Sequence, residues 1–171
     1  MNLELVYHPN ELLETVCEEW DIENPPIEPV ELKKKMFEAM AKNGGIGIAG
    51  PQLGLPYRVF ALLNQSTNNI NETQMIAINP EIIEEDPVEV GMYESCLSVP
   101  GLVLNVTRPH KIKASWTNEK GQRRTETLVG YTARIFQHEL DHLNGVMFMD
   151  RVSPLELKKA QAELQHKAQQ G

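Results

Sequence analysis

A five-residue motif, His138-Glu139-Leu140-Asp141-His142, sets the strongest condition on the fold of this chain. Positions i and i+4 of an α-helix lie about 40° apart around its axis, so the two imidazoles face one point only if the segment is helical. Two imidazoles on one face can share a metal ion. Glu139 projects to one side of that pair, beside a water at the metal rather than among the ligands. The motif predicts a metal-carrying helix with Glu139 as the acid/base.

The other predicted elements follow from hydrophobic spacing and turn residues. Residues 30–42 have helical spacing and stop at Asn43-Gly44-Gly45. The motif helix covers residues 132–143 and is closed by Asn144-Gly145, and Ser153-Pro154 begins a polar helix at about 154–170. Short segments with β-branched or alternating residues are predicted as strands at 58–63, 75–78, 102–106, 110–117 and 122–129.

The turn residues at 118–121, Asn-Glu-Lys-Gly, join the last two predicted strands and favour antiparallel pairing. We therefore predict an α+β fold, with antiparallel or mixed β-sheets around a central motif helix and a helix at the C-terminal end. A chain of 171 residues is long enough to bury one hydrophobic core. Residues 1–171 are predicted to form a single catalytic domain.

The formal net charge of −8 is opposite to the basic surface that nucleic-acid binding requires, so we expect no direct nucleic-acid contact. The chain has no apolar run of about 18 residues and no basic segment leading into an apolar one at its start, so no membrane contact is expected. Two cysteines are too few for a disulfide scaffold. These features favour the cytoplasm, or an organellar matrix if a transit peptide has been removed.

Two imidazoles leave the metal site incomplete, because catalytic sites of the zinc type use three protein ligands. One metalloprotease class would place the third ligand at position 148, but this chain has Phe148 there. A distant glutamate, Glu156 or Glu163, is one alternative. Cys96 is another, since a thiolate is a strong ligand for Fe²⁺ or Zn²⁺. An isolated cysteine is more often a small buried residue, so this reasoning leaves the third ligand open.

Three segments resemble, in order, the three motifs of peptide deformylases: GIGIAGPQLG at 45–54, ESCLS at 94–98 and QHELDHLNG at 137–145. The resemblance extends over most of the chain, from position 8 to position 150. It implies a metal-dependent amide hydrolase that removes the N-formyl group from the N-terminal formylmethionine of newly made polypeptides and releases formate. N-formylmethionyl peptides are the expected partners, with transient contact to the ribosome as a further expectation.

The resemblance also implies how the metal is held. In the family, the cysteine and the two histidines of these motifs bind one divalent ion. The matching residues in this chain are Cys96, His138 and His142. Fe²⁺ is the expected ion in the cell, with Zn²⁺, Ni²⁺ or Co²⁺ as substitutes in purified protein. Glu139 would accept the proton of the attacking water and later deliver it to the departing amine.

Further roles follow from the same resemblance. The side-chain amide of Gln52 and the backbone N–H of Leu97 would stabilise the oxyanion of the tetrahedral intermediate. Gly45 and Gly47 would allow a peptide to approach the backbone closely, with Gly47 bonding the substrate. Ile46 would line an apolar pocket for the methionine side chain.

The chain departs from the usual family pattern at several positions. Gly50 replaces an alanine, and Ser95 replaces the glycine before the metal cysteine. If position 95 requires a positive φ, serine there costs about 1 kcal/mol of strain. Val103 replaces an arginine found in many members, and Arg134 stands where some members have an aliphatic pocket residue. The methionine pocket is therefore expected to be partly lined differently.

Two other classes of protein remain as alternatives. A metallopeptidase would cleave internal peptide bonds and would use a third ligand other than Cys96. A non-enzymatic binding module would keep the motifs for metal or peptide binding without turnover. Substitution of Cys96 by alanine separates the first alternative from a deformylase.

Overall fold

The structure is a computed structural model in which residues 3–65, 67–69 and 72–170 are described. Within these residues the helices are α1 (Pro29–Asn43), α2 (Gly130–Leu143) and α3 (Pro154–Gln170). The strands are β1 (Gly47–Ala49), β2 (Val59–Leu63), β3 (Gln74–Glu85), β4 (Glu89–Cys96), β5 (Val99–Pro109), β6 (Lys111–Thr117) and β7 (Arg123–Val129). Short 3₁₀ segments lie at Glu11–Glu14, Gly50–Leu53 and Phe148–Arg151.

The strands form two antiparallel sheets. One contains five strands in the order β1-β2-β3-β6-β7, and β4 pairs with β5 in a separate two-stranded sheet. The predicted hairpin is present, because β6 and β7 pair antiparallel from Lys111–Val129 to Thr117–Arg123 around the turn at 118–121. The prediction of an α+β fold with antiparallel sheets and a C-terminal helix is confirmed.

Strands β1 and β4 were not predicted from the sequence, and β3 and β5 are longer than predicted. The alternation that marks a strand is hidden in β4 because its inward positions near the end are Glu94 and Cys96, and one of these is charged. The outward position Tyr93 is aromatic and exposed. The usual apolar-in, polar-out pattern is therefore partly reversed in this strand.

Helix α2 lies in the centre of the fold, since every residue from Thr132 to Leu143 is buried. On its apolar side, Phe136 packs edge-on against Phe60 of β2 with ring centroids 4.9 Å apart. The same ring lies 5.8 Å from that of Trp116 on β6. These contacts bury one face of the helix against the large sheet and leave the His-Glu motif for the opposite side.

The end of α2 is held in place by two contacts. Arg58 donates from Nη1 to the Leu143 carbonyl at 3.0 Å and from Nη2 to Asn144 Oδ1 at 2.9 Å. Gly145 has φ +70°, and a Cβ there would lie 2.7 Å from the Glu14 carbonyl oxygen. Glycine is required at this position by both conformation and space. The stop predicted at Asn144-Gly145 is confirmed.

Helix α3 packs along β5 through Leu157, Ala160 and Leu164, which are partly buried against an apolar cluster that includes Cys96 and Phe148. None of its described side chains is fully buried. Across the described parts of the chain, no helix combines the length and the apolarity needed to cross a bilayer.

Candidate metal centre and its cavity

The structure brings the three predicted metal ligands together. Cys96 lies at the end of β4, and His138 and His142 lie one turn apart on α2. One ligand atom from each side chain lies within 4.8 Å of the other two, and all three residues are buried. Cys96 Sγ and His142 Nε2 are 3.4 Å apart. A thiol and two imidazoles converging at one buried point are a donor set that fits a divalent transition metal.

The alternative glutamate ligands do not reach this cluster. Glu156 and Glu163 lie on the solvent side of α3 and are exposed. They are not part of the group of potential metal ligands found among the described residues. The geometry therefore favours Cys96 as the third ligand. It gives no support to a metallopeptidase arrangement, which would use one of these glutamates instead.

Glu94 fixes the orientation of the first histidine. Its Oε1 lies 2.8 Å from His138 Nδ1, which leaves the other ring nitrogen, Nε2, for the metal. Arg108 binds the same carboxylate in a two-point contact, with Nε to Oε2 at 2.6 Å and Nη2 to Oε1 at 3.0 Å. Burial alone raises the pKa of Glu94, but the hydrogen bonds from His138 and Arg108 outweigh it and hold this pKa at about 2. Glu94 is therefore a carboxylate at all physiological pH values.

Arg108 also ties the second half of the motif helix to the strands. Its Nη1 donates to Asp141 Oδ2 at 2.8 Å. Arg151 donates to both oxygens of the same carboxylate, from Nη2 at 2.6 Å and from Nε at 3.0 Å. Glu94 therefore orients one histidine and pairs with an arginine, and Asp141 pairs with two arginines.

Arg134 forms a second brace that sequence reasoning did not identify. From α2, its Nη1 donates to Glu94 Oε2 at 2.7 Å and to the Val106 carbonyl of β5 at 2.6 Å, and its Nη2 donates to the Val90 carbonyl of β4 at 2.7 Å. The side chain is buried and also lines the cavity described below. Arg134 thus holds the strand that carries Cys96 against the helix that carries the histidines. In the sequence, Arg134 stands out only because some family members have an aliphatic residue at this position.

Glu139 is buried but not paired. Only 4% of the residue is exposed, and its Oε2 has no hydrogen-bond partner among the described residues. Burial raises the pKa of Glu139 to about 7. A carboxyl group of this kind can give up or take a proton near neutral pH.

Glu139 shares a cavity of about 490 Å³ with Cys96 and His138. The predicted substrate-binding residues Gly45, Ile46 and Gly47 line the same cavity. Gly47 lies directly against Glu139, the predicted acid/base, because a Cβ at this glycine would be 2.7 Å from Glu139 Oε1. The backbone at this position can approach the reacting groups only because it carries no side chain.

Gln52 and Leu97 also line this cavity. Gln52 is buried, and its Oε1 accepts from the Ala49 N–H at 2.9 Å. Its Nε2 points the other way, 3.5 Å from Cys96 Sγ and 3.0 Å from Ser98 Oγ. The amide group is therefore held with its donor side toward the metal ligands. Its role with the oxyanion remains a prediction.

Two departures from the family pattern, Ser95 and Gly50, have local explanations. Ser95 lies in extended β4 and is exposed, and it is not among the non-glycine residues with positive φ, so the strain considered for this position does not arise. At Gly50, a Cβ would lie 3.0 Å from the carbonyl oxygens of Leu55 and Tyr57. Glycine therefore relieves a close backbone contact where alanine would be tight.

An α+β fold that holds a buried Cys/His/His cluster beside an unpaired carboxyl group in an open cavity defines a metal-dependent hydrolase. Comparison with known families gives the particular group. The family model described as polypeptide deformylase matches residues 2–158. This chain belongs to the polypeptide deformylase family, and the resemblance seen in its three motifs is confirmed.

Individual relatives agree with this assignment. The chain is 41% identical to a peptide deformylase of Thermotoga petrophila over 121 residues, which cover 71% of this chain and 70% of that protein. It is 36% identical to the Aquifex aeolicus peptide deformylase over 149 residues, which cover 87% and 86% of the two chains. A crystal structure of a Synechococcus elongatus peptide deformylase in complex with actinonin superposes with a TM-score of 0.83 at 31% identity, covering 95% of this chain and 86% of that one.

Proposed function

We propose that this protein removes the formyl group from the N-terminal formylmethionine of newly made polypeptides and releases formate, with the residues named above in the reacting roles. One observation carries the assignment of roles. The unpaired carboxyl group of Glu139 lines the same cavity as Cys96 and His138 of the ligand cluster. A proton acceptor and a metal site are the two groups that amide hydrolysis of this type requires.

Cys96, His138 and His142 would hold one divalent ion, and we propose Fe²⁺ as that ion in the cell. Thiolate and imidazole ligands suit Fe²⁺ and Zn²⁺, and Zn²⁺, Ni²⁺ or Co²⁺ would replace the iron in purified protein. Glu94 supports the site by holding His138 through Nδ1, so that Nε2 faces the other ligands. A divalent ion bound there polarises the formyl carbonyl and lowers the pKa of the attacking water.

Glu139 moves the proton. Its carboxylate accepts a proton from the attacking water and then delivers it to the amide nitrogen as the carbon–nitrogen bond breaks, since an amide nitrogen leaves poorly without protonation. The products are formate and a free α-amino group. Burial raises the pKa of Glu139, which makes its carboxylate a stronger base toward water than that of an exposed glutamate.

Gln52 and Leu97 would stabilise the oxyanion that forms when water adds to the formyl carbon. The Ala49 N–H holds Gln52 by its oxygen, so the Nε2 donor is already turned toward the cluster and needs no rearrangement. The backbone N–H of Leu97 follows the metal cysteine directly. Each donor of this kind contributes about 3 kcal/mol to lowering the barrier.

The remaining contacts hold the substrate. Gly47 would bond the peptide backbone beside Glu139, and Gly45 would allow the peptide to approach the backbone closely because it carries no side chain. Ile46, which is 36% exposed, would contact the methionine side chain. Arg134 lines the same cavity, but its guanidinium is already bonded to Glu94 and to two carbonyls. Its contribution to the pocket is therefore its aliphatic stem.

The cellular setting is part of the proposal. Substrates that carry a formylmethionine are nascent chains, so we propose action in the cytoplasm or an organellar matrix with transient ribosome contact. Helix α3 offers a surface for such a contact. Leu157, Ala160 and Leu164 pack inward, and the other described side chains of the helix remain exposed. The net charge of −8 argues against direct contact with RNA or DNA.

The direct test is formate release from formyl-Met-Ala-Ser by protein loaded with Fe²⁺ under anaerobic conditions. We expect formate from this peptide and, since the proposed pocket at the metal would exclude the larger acetyl group, no acetate from acetyl-Met-Ala-Ser. Removal of the metal with a chelator should abolish activity, and addition of Fe²⁺ or Ni²⁺ should restore it.

Other outcomes of the same assay identify the rival classes. Metal bound through Cys96 without any formate would indicate a binding module. Cleavage between Met and Ala, retained after Cys96→Ala, would indicate a peptidase. Either result would contradict the proposed reaction.

Gly47→Ala should reduce kcat/KM by about a hundredfold, because a methyl group there would displace the Glu139 carboxylate and the Ile135 side chain. The measurement is steady-state formate release, with the unfolding temperature as a check on folding. Gly91→Ala is the matched control on β4, since its methyl group meets only the exposed Asn105 side chain, which can move aside. Full activity of Gly47→Ala would show that the close approach has no catalytic role.

A further inference from the structure

The two histidines of the ligand cluster differ in how their rings are held. His138 has a fixed partner, because Glu94 Oε1 lies 2.8 Å from its Nδ1. His142 is 1% exposed, and its Nδ1 has no hydrogen-bond partner among the described residues. A metal-binding histidine is usually oriented by a hydrogen bond at its second ring nitrogen. Since no described side chain gives His142 such a bond, the position of its ring depends on the backbone that carries it and on the packing around it.

The backbone directly after His142 is the end of α2. Leu143 is the last residue of that helix, and a carbonyl group at a helix end has no partner within the helix. The Leu143 carbonyl instead accepts from the Cys17 N–H at 2.9 Å and from Arg58 Nη1 at 3.0 Å. Arg58 Nη2 also donates to Asn144 Oδ1 at 2.9 Å. One guanidinium therefore holds two consecutive residues, and its positive charge suits the negative end of the helix dipole.

Arg58 is itself fixed at the residue before β2. Its N–H donates to the Glu18 carbonyl at 2.8 Å, and its carbonyl accepts from the Asn79 N–H at 2.8 Å. Two residues further along, Phe60 packs against Phe136 of α2 with ring centroids 4.9 Å apart. This part of the chain therefore contacts α2 in its middle and at its end. Two separate contacts fix how the helix lies along the strand.

We propose that Arg58 is a positioning residue for His142. By holding the end of α2 against the start of β2, it keeps the imidazole where a metal ion can be shared. The spacing that it maintains is 3.4 Å from His142 Nε2 to Cys96 Sγ, with the rings of His138 and His142 5.1 Å apart. This inference rests on the metal site of the proposed function. It adds a residue that belongs neither to the ligand cluster nor to the lining of the cavity.

A small shift at the end of α2 is enough to weaken the site. Metal–ligand distances in good sites vary by only about 0.2 Å. Contacts that orient metal ligands are typically worth about 10–100-fold in metal affinity. Loss of the guanidinium should leave the protein folded, because Arg58 is only half-buried and the Leu143 carbonyl keeps its bond from the Cys17 N–H. The main effect of substituting Arg58 should therefore be on the metal.

The test is the rate at which a chelator removes Co²⁺ from the loaded protein, together with the visible absorption of the bound Co²⁺, which depends on the geometry of its ligands. Arg58→Met should release Co²⁺ about tenfold faster and change the absorption spectrum. Arg58→Lys keeps the charge but lacks the fork that reaches both Leu143 and Asn144, so its release rate should lie between the two. For formate release, kcat should fall several-fold with KM unchanged, since Arg58 does not line the cavity.

The matched control is Arg123→Met. Arg123 also donates to a backbone carbonyl, that of Asn79 at 2.9 Å, but its other bonds are to Thr117 and Glu81 rather than to α2. This variant should keep the release rate and the spectrum of the unsubstituted protein. Unfolding temperatures measured with and without Co²⁺ provide a further check, because the stabilisation by the metal should shrink in Arg58→Met and not in Arg123→Met.

Two results would overturn the proposal. One is Co²⁺ release at the unsubstituted rate, with an unchanged spectrum, in the Arg58 variants. The other is an equal change in Arg123→Met, which would indicate a general loss of stability. Arg58→Lys decides the test if Arg58→Met does not fold. The release rate and the spectrum need no deformylation, so the role of Arg58 and the proposed reaction can fail separately.

Discussion

Glu139→Gln is expected to lower kcat/KM for a formylmethionyl peptide by about a thousandfold while the protein still folds and retains its metal. Glutamine fills nearly the same space but cannot accept a proton from water or return one to the leaving nitrogen. The ligand atoms of Cys96, His138 and His142 are not altered by the substitution. The measurement is formate release combined with metal analysis of the same sample.

The variant also makes a prediction about stability. The Oε2 atom of Glu139 is buried without a partner among the described residues, and placing an unpaired carboxyl group there opposes folding. The unfolding temperature of Glu139→Gln should therefore be no lower than that of the unsubstituted protein. Glu119→Gln serves as control, because this carboxylate pairs with Lys33 at 2.9 Å on the turn between β6 and β7. Near-normal activity of Glu139→Gln would mean that another group moves the proton.

The helices were predictable because their signals are local. The prediction of a helix at 30–42 compares with Pro29–Asn43 in the structure, and that at 132–143 compares with Gly130–Leu143. Apolar spacing and a terminating glycine are both read from neighbouring residues. The hairpin between β6 and β7 was predictable for the same reason, since its turn residues identify it.

Strand β4 and the braces around the metal centre were not predictable in this way. Glu94 occupies an inward position of β4 only because Arg108 and Arg134 meet it there, and these residues are 14 and 40 positions away along the chain. A charged residue inside a short strand disrupts the alternation on which strand prediction depends. The motif resemblance identified the candidate ligands, whereas the contacts that hold them in place depend on the tertiary fold.

The exposed tyrosines that line the cavity show the same limit. Tyr7, Tyr93 and Tyr131 lie far apart in the sequence, and each is unremarkable alone. Only the tertiary fold shows that they share one cavity with Glu139. Sequence motifs therefore point to the candidate reacting groups, and the fold is needed to show which other residues share their cavity.

Arg108→Met is expected to lower the free energy of unfolding by about 3–5 kcal/mol, the typical effect of removing one partner from a buried ion pair. Arg108, Glu94 and Asp141 are all buried, with side-chain exposures of 9% or less. The substitution would leave Glu94 with Arg134 and His138, and Asp141 with the half-exposed Arg151. Methionine fills much of the space of the arginine side chain, so the loss of stability comes more from the unpaired charge than from a cavity.

The measurements are denaturant unfolding and the rate at which a chelator removes the metal. For a chain of this size, 1 kcal/mol shifts the unfolding temperature by about 2–4 °C, so the expected fall is roughly 10 °C. Arg124→Met is the matched control, because its ion pair with Glu126 is exposed and should contribute at most about 1 kcal/mol. Metal release should also be faster in Arg108→Met alone, since Glu94 would hold His138 less firmly once its two-point contact is lost. If both variants lost equal stability, the buried network would contribute no more than a surface ion pair, and the position of His138 would have to depend on packing within α2 instead.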